Sequence, residues 1–244
     1  MSARPAGGGT DSAGVPWAGR TLTAQPFAGD DGGRDPALEA ALAGGSLAEV
    51  VSAWAPSRAL VPVVAVLGEG EELVAAEGDK SADMALATLT GADGTRALPA
   101  FTAAAALAAW DPTARPVPVE AARAAQAAVA EGCDAVVLDV AGPVSRVLPR
   151  PAVWAVAQGR DWLPPAEDPE VLAAVAAACD GVPRLAAHRC EASGEAGLRV
   201  VLGLPPGLDA AGARAVAAEV GRRLRAADLV SERVTTVELT LRAV

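Results

Sequence analysis

Alanine supplies about a quarter of this chain, and no other feature limits its fold so strongly, because Ala is the best helix former. Its methyl group buries little area, however, and a core cannot be built from it. The stabilising burial has to come from Val, Leu, Trp and Phe, at roughly 1.5–3 kcal/mol for each fully buried side chain. The alanine runs therefore mark helices and close packing, and the residues set between them decide the architecture.

Residues 1–18 (MSARPAGGGTDSAGVPWA) are rich in Gly, Ser and Pro, lack periodicity and read as a disordered tail. Asp35 before Pro36 forms an N-cap and N1 pair that opens a short helix through Leu38 and Leu42, stopped at Gly44-Gly45. Ser46 to Trp54 is a second helix with Leu47, Val50, Val51 and Trp54 on one face. Leu60 to Leu67 (LVPVVAVL) is a β-branched apolar run, the pattern of a buried strand, and the acidic stretch Gly68 to Asp83 reads as a loop. Met84 to Thr90 and Arg96 to Phe101 flank Gly91-Ala92-Asp93-Gly94-Thr95 as a hairpin. Thr102 is placed to cap a helix carrying Leu107 and Trp110, ended by Pro112. Val117 and Val119, the helix Ala121 to Ala130 and the run Ala135 to Val140 make a strand–helix–strand unit, right-handed if its strands are parallel in one sheet. A helix over Pro151 to Gln158 closes this half.

Asp161 to Pro169 (DWLPPAEDP), with three prolines and three acids, is the expected boundary. Beyond it come a helix over Glu170 to Cys179, strands over Arg184 to Glu191 and Leu198 to Leu204, and a long helix capped by Asp209. Thr236 to Arg242 alternates, with Val237, Leu239 and Leu241 inward. The expected fold class is α/β (α+β). A mixed-sheet N-terminal domain spans 19–160, 161–169 is a linker, and a smaller α-β-β-α-β C-terminal domain with its helices on one sheet face spans 170–244.

Composition excludes several chemistries. With one His (His188), one Lys (Lys80) and no Tyr, mechanisms needing two histidines, a Gly-Lys phosphate loop or a catalytic Tyr are ruled out. The formal net charge of -10 opposes nucleic-acid binding and is repelled by anionic membranes. Cys133, Cys179 and Cys190 are odd in number and widely spaced, as suits a reducing compartment. No signal peptide is visible, and the longest apolar stretch, Phe101 to Trp110, is about half a membrane span. The expected location is cytoplasmic, with no cofactor.

Three constellations remain. Asp30, Asp31 and Asp35 surround a glycine loop and either hold a hard cation such as magnesium or make turns and a helix cap. Cys179, His188 and Cys190 offer soft metal ligands, His188 and Cys190 sharing one strand face; the alternative is burial of a lone His and small thiols. Trp17 and Trp162 lie in aperiodic segments and are either exposed docking groups or packed on their own domain. Gly68-Glu69-Gly70 lacks the third glycine of a dinucleotide fingerprint, and Glu71-Glu72 repels a pyrophosphate. Asp139 stands alone near the C-terminal end of a strand, where α/β sites form.

Several segments taken together resemble a known family. Asp79-Lys80-Ser81-Ala82-Asp83-Met84-Ala85-Leu86, Leu98-Pro99-Ala100-Phe101-Thr102, Leu107-Ala108-Ala109-Trp110, Arg115-Pro116-Val117-Pro118-Val119 and Asp134-Ala135-Val136-Val137-Leu138-Asp139 are similar to the N-terminal domain of the SseB family. The resemblance spans about residues 20–165, and 170–244 fit more loosely the C-terminal domain of such proteins. The family is named for enhanced serine sensitivity, a phenotype, and the resemblance brings no catalytic motif. The absence of a catalytic set, with Trp17 and Trp162 in aperiodic segments, points to a non-catalytic binding or regulatory protein that meets a protein partner or small ligand at sheet edges or an inter-domain groove. The alternative is a magnesium-dependent hydrolase or transferase using the acidic cluster.

Overall fold

A computed structural model describes residues 27, 29–65 and 84–244. The Asp35 carboxylate accepts from the amides of Ala37 and Leu38 at 2.8 and 3.1 Å, and Pro36 has no amide to satisfy, so α1 (Pro36–Gly44) starts there. A capping box opens α2 (Leu47–Trp54): Glu49 donates its amide to Ser46 Oγ, and its carboxylate accepts from the Ser46 amide. Leu38, Leu42, Val50, Val51 and Trp54 turn both helices onto one core.

The elements that follow are β1 (Arg58–Ala65), β2 (Met84–Leu86), β3 (Leu89–Thr90), β4 (Arg96–Ala100), α3 (Ala104–Trp110), β5 (Arg115–Glu120), α4 (Ala121–Ala130), β6 (Ala135–Leu138), β7 (Arg146–Pro149) and α5 (Arg150–Ala157). They form two sheets, ordered β2-β1-β5 and β3-β4-β6-β7. β4 and β6 are parallel, and every other neighbouring pair in these sheets is antiparallel. Leu60 and Phe101 join the sheets by exchanging amide-to-carbonyl bonds of 2.8 Å each way. On one face of the second sheet, Leu98, Ala100, Val136, Leu138 and Leu148 are fully buried with side chains of α1, α2, α4 and α5. On the other, α3 covers Phe101 with Leu107 and Trp110.

Two expectations need correction. β5 and β6 do not neighbour one another, because β5 pairs with β1 and the parallel partner of β6 is β4. Thr102 is not the helix cap: α3 starts after Ala103 with no side-chain cap, and the Thr102 hydroxyl is spent elsewhere. β5 also shows how its prolines are tolerated. The Ala121 amide bonds Ser57 O toward β1, so by alternation Pro116 and Pro118 turn their nitrogens to the outer edge, where no donor is lost from the ladder.

The remaining elements are α6 (Pro169–Cys179), β8 (Ala187–Ser193), β9 (Gly197–Leu204), α7 (Ala210–Arg225), α8 (Asp228–Arg233) and β10 (Thr236–Ala243). The sheet runs β10-β9-β8, with β10 parallel and β8 antiparallel to β9. Leu198, Val200, Leu202 and Leu204 present one face of β9 to Val171 and Val175 of α6 and to Val216, Val220 and Leu224 of α7. The fold is thus α+β, with mixed sheets and helices packed on them. Gly32–Val244 is one unit. No helix among the described residues is long and apolar enough to cross a membrane.

Candidate functional site

β4 and β6 end side by side, and the chain places a buried acid there. Asp139 is fully buried and adopts a left-handed backbone (φ 49°), which turns the chain sharply out of β6. Its Oδ1 accepts from the Thr102 amide at 2.8 Å, and its Oδ2 accepts from Thr102 Oγ1 at 2.6 Å and from the Arg34 guanidinium at 2.8 Å. Arg34 Nε also donates to Thr102 Oγ1 at 2.6 Å, which closes the ring of contacts. A buried carboxylate is tolerated only when paired and hydrogen-bonded in this way. Ala104 donates to Gly32 O at 2.9 Å, so the segment entering α1 is held at this strand end by backbone as well as side chain.

The opposite end of the same strands is open. The register sets Leu89, Ala97, Ala135 and Pro149 side by side, and Pro99, Val137 and Val147 in the next row of the same face. That face carries no charged side chain in these rows, yet Val147 is 57% exposed. A groove of about 610 Å³ lies along it, bordered by Ser231, Glu232, Val234 and Thr235 at the end of α8. Arg96, Asp134, Arg150 and Glu232 line it with charge. Arg96 is fixed to the turn after α4 by the Glu131 carbonyl at 2.8 Å, and Asp134 accepts from its amide at 3.0 Å.

The residues singled out from sequence are distributed differently. Asp35 is committed to capping α1. Asp30 and Asp31 are exposed, and the Asp30 amide closes a turn on Phe27 O at 3.0 Å. Trp17 and Lys80 lie outside the described residues, as does the Gly68–Gly70 loop. Trp162 is not an exposed docking group: it is 8% exposed and packs into the first core, because an indole buries too much apolar area to stay in water. Its Nε1 has no hydrogen-bond partner. Cys179 is buried at the end of α6, Cys190 packs half-buried against the same core, and His188 is exposed on β8. Burial pushes the Cys179 thiol up, and the neighbouring Cys190 raises it further; burial alone raises Cys190. Cys133 is raised in the same way, with Arg96 pulling the other way. Among the described residues, no group of three or more His, Cys, Asp or Glu side chains is arranged to hold a metal ion.

Sequence reasoning placed Asp139 at a strand end but missed Arg34 and Thr102 as its partners, which lie 105 and 37 positions away. Nothing local signals contacts at that range. The sequence does not place this groove, since its floor needs the β4–β6–β7 register.

Neither a curated protein nor a solved structure matches the chain. Residues 35–155, which run from the α1 cap through both N-terminal sheets and most of α5, match the family model of the SseB protein N-terminal domain. The chain belongs to the SseB family.

Proposed function

We propose that this SseB family protein is a cytoplasmic, non-catalytic binding or regulatory protein, and that its partner or ligand seats on the open face of the β3-β4-β6-β7 sheet. The observation that carries this reading is the pair of uncharged rows ending in Val147, which leaves an apolar side chain more than half exposed above a groove of about 610 Å³. Apolar surface in a concave groove with a charged rim is the usual form of a recognition site. Three free cysteines, two of them buried, support a reducing compartment. The groove suits an extended apolar segment or a flat small molecule, with Arg150 and the Arg160-paired Glu232 at the rim.

The test uses the full chain and a library of extended apolar peptides, read by native mass spectrometry and thermal shift. Binding is expected for the parent and is expected to weaken roughly tenfold or more in Val147→Asp, which sets a charge where apolar contact is needed. Absence of binding, or binding indifferent to Val147→Asp, removes the groove as the site. The magnesium-dependent reading has no specific observation in its favour.

A further inference from the structure

The last strand leaves an edge unpaired. β10 is matched residue for residue with β9, from Thr236 opposite Gly197 to Ala243 opposite Leu204, with no bulge and no proline. It has no partner on its other side among the described residues. Val244 donates its amide to Leu204 O at 3.0 Å, which fixes the alternation. Even-numbered residues bond toward β9, while Val237, Leu239, Leu241 and Ala243 turn amide and carbonyl outward. Proteins usually blunt such an edge with a proline, a bulge or a short strand, because it templates another strand. β10 uses none of these devices.

We propose that this edge is an interface between two copies of the chain, paired antiparallel about a two-fold axis at Thr240, so that two three-stranded sheets become one. The side chains carry the register. With Thr240 on the axis, Glu238 lies opposite the partner's Arg242, and Arg242 opposite the partner's Glu238. Arg242 makes no ion pair within its own chain among the described residues, and Glu238, which accepts from Arg199 at 2.9 Å and from Ser193 Oγ at 2.7 Å, keeps its carboxylate exposed enough to meet a second cation. Axes at Glu238 or Arg242 instead set like charges face to face. On the helix-facing side, Leu239 meets the partner's Leu241, a residue 38% exposed in the single chain. A groove of about 430 Å³ beside β10 offers that leucine pair Leu224, Val234 and Val237 to pack on, with Arg225, Ser231 and Thr235 also in its lining. The other edge of the sheet is less suited, because β8 (AHRCEAS) carries no large apolar side chain to pair across an axis. This surface adjoins the groove of the proposed function at Ser231, Val234 and Thr235, but Val147 lines only that groove and β10 only this surface, so their variants test the two readings apart.

Light scattering on the size-fractionated full chain reads the assembly directly. The expected mass is near twice the 24.2 kDa of one chain. Leu241→Pro removes an outward amide at no cost to the β9 ladder, and Arg242→Glu faces the partner's Glu238 with a like charge. Each is expected to weaken the dimer roughly tenfold or more while the circular dichroism stays that of the parent. Thr240→Cys in a Cys190→Ser background is expected to form a disulfide dimer on mild oxidation, since a non-hydrogen-bonded pair on the axis brings the Cα atoms within disulfide reach. A monomer at every concentration overturns the proposal, as does a dimer indifferent to both β10 variants or one that crosslinks through Cys190. Protection of the β10 amides that appears only on adding an extended peptide likewise overturns it, in favour of strand addition by a different molecule.

Discussion

At the residue scale, Asp139 combines three demands: full burial, a left-handed backbone and three hydrogen bonds to Arg34 and Thr102. Asp139→Ala strands the Arg34 guanidinium and the Thr102 amide without their acceptor. It is expected to cost roughly 3–5 kcal/mol, measured as a fall in the urea midpoint at unchanged slope. Asp139→Asn keeps an acceptor and tolerates the backbone angle, so only about 1–3 kcal/mol is expected. Equal losses for both variants would show that an uncharged acceptor at this position stabilises nothing and that the charge carries the whole effect. Glu219 is a surface counterpart. Hydrogen bonds from Arg222 first, and from Arg223 second, hold its carboxyl at about 2 instead of 4.5. A depressed folded value means that its stabilising share is complete above the ordinary value and fades as pH falls from 4.5 toward 2. A carboxyl-carbon NMR titration should place the midpoint near 2, moving up toward 4.5 when Arg222 and Arg223 are both replaced by Gln.

At the element scale, Asp168 ties two helices together. Its carboxylate caps α6 through the Glu170 and Val171 amides and also meets Arg233 of α8 at 3.0 Å. Asp168→Asn retains the cap and loses the ion pair, whereas Asp168→Ala loses both, so losses of about 1 and about 3 kcal/mol are expected in chemical denaturation. The elements legible in sequence are those whose signals are local. The Asp35-Pro36 and Asp209 caps, the hairpin over Gly91–Thr95 and the apolar alternation of β9 all fall where their residues place them. β7 and α8 are not legible, because four and six residues are too short to show a period. Thr102 was misassigned because a Thr before an alanine run has the composition of a cap, and only the distant Asp139 reveals its competing bond. The alternation turns Leu241 inward, yet it is 38% exposed, since β10 is an edge strand among the described residues.

At the scale of the molecule, the described apolar residues gather into two principal cores, one drawn mainly from 38–162 and the other from 171–234. Between them lie the ion pairs Arg146–Glu195 at 3.6 Å and Arg160–Glu232 at 3.0 Å, each partly exposed and so worth little. All five tryptophans precede residue 163, and the second core contains no aromatic ring. Leu198→Ala should therefore lower the unfolding midpoint seen by circular dichroism more than that seen by tryptophan fluorescence; coincident shifts would mean that both cores unfold together. The crossing of β5 to β1 is not legible in the sequence, because strand order depends on contacts far apart along the chain. The outward nitrogens of Pro116 and Pro118 carry a last consequence. A strand arriving at that flank finds few donors to receive it, so fibre growth in a concentrated or ageing sample has no seed there. The outer edge of β10 has no such barrier, and a single proline placed there should slow growth from that flank in stored protein.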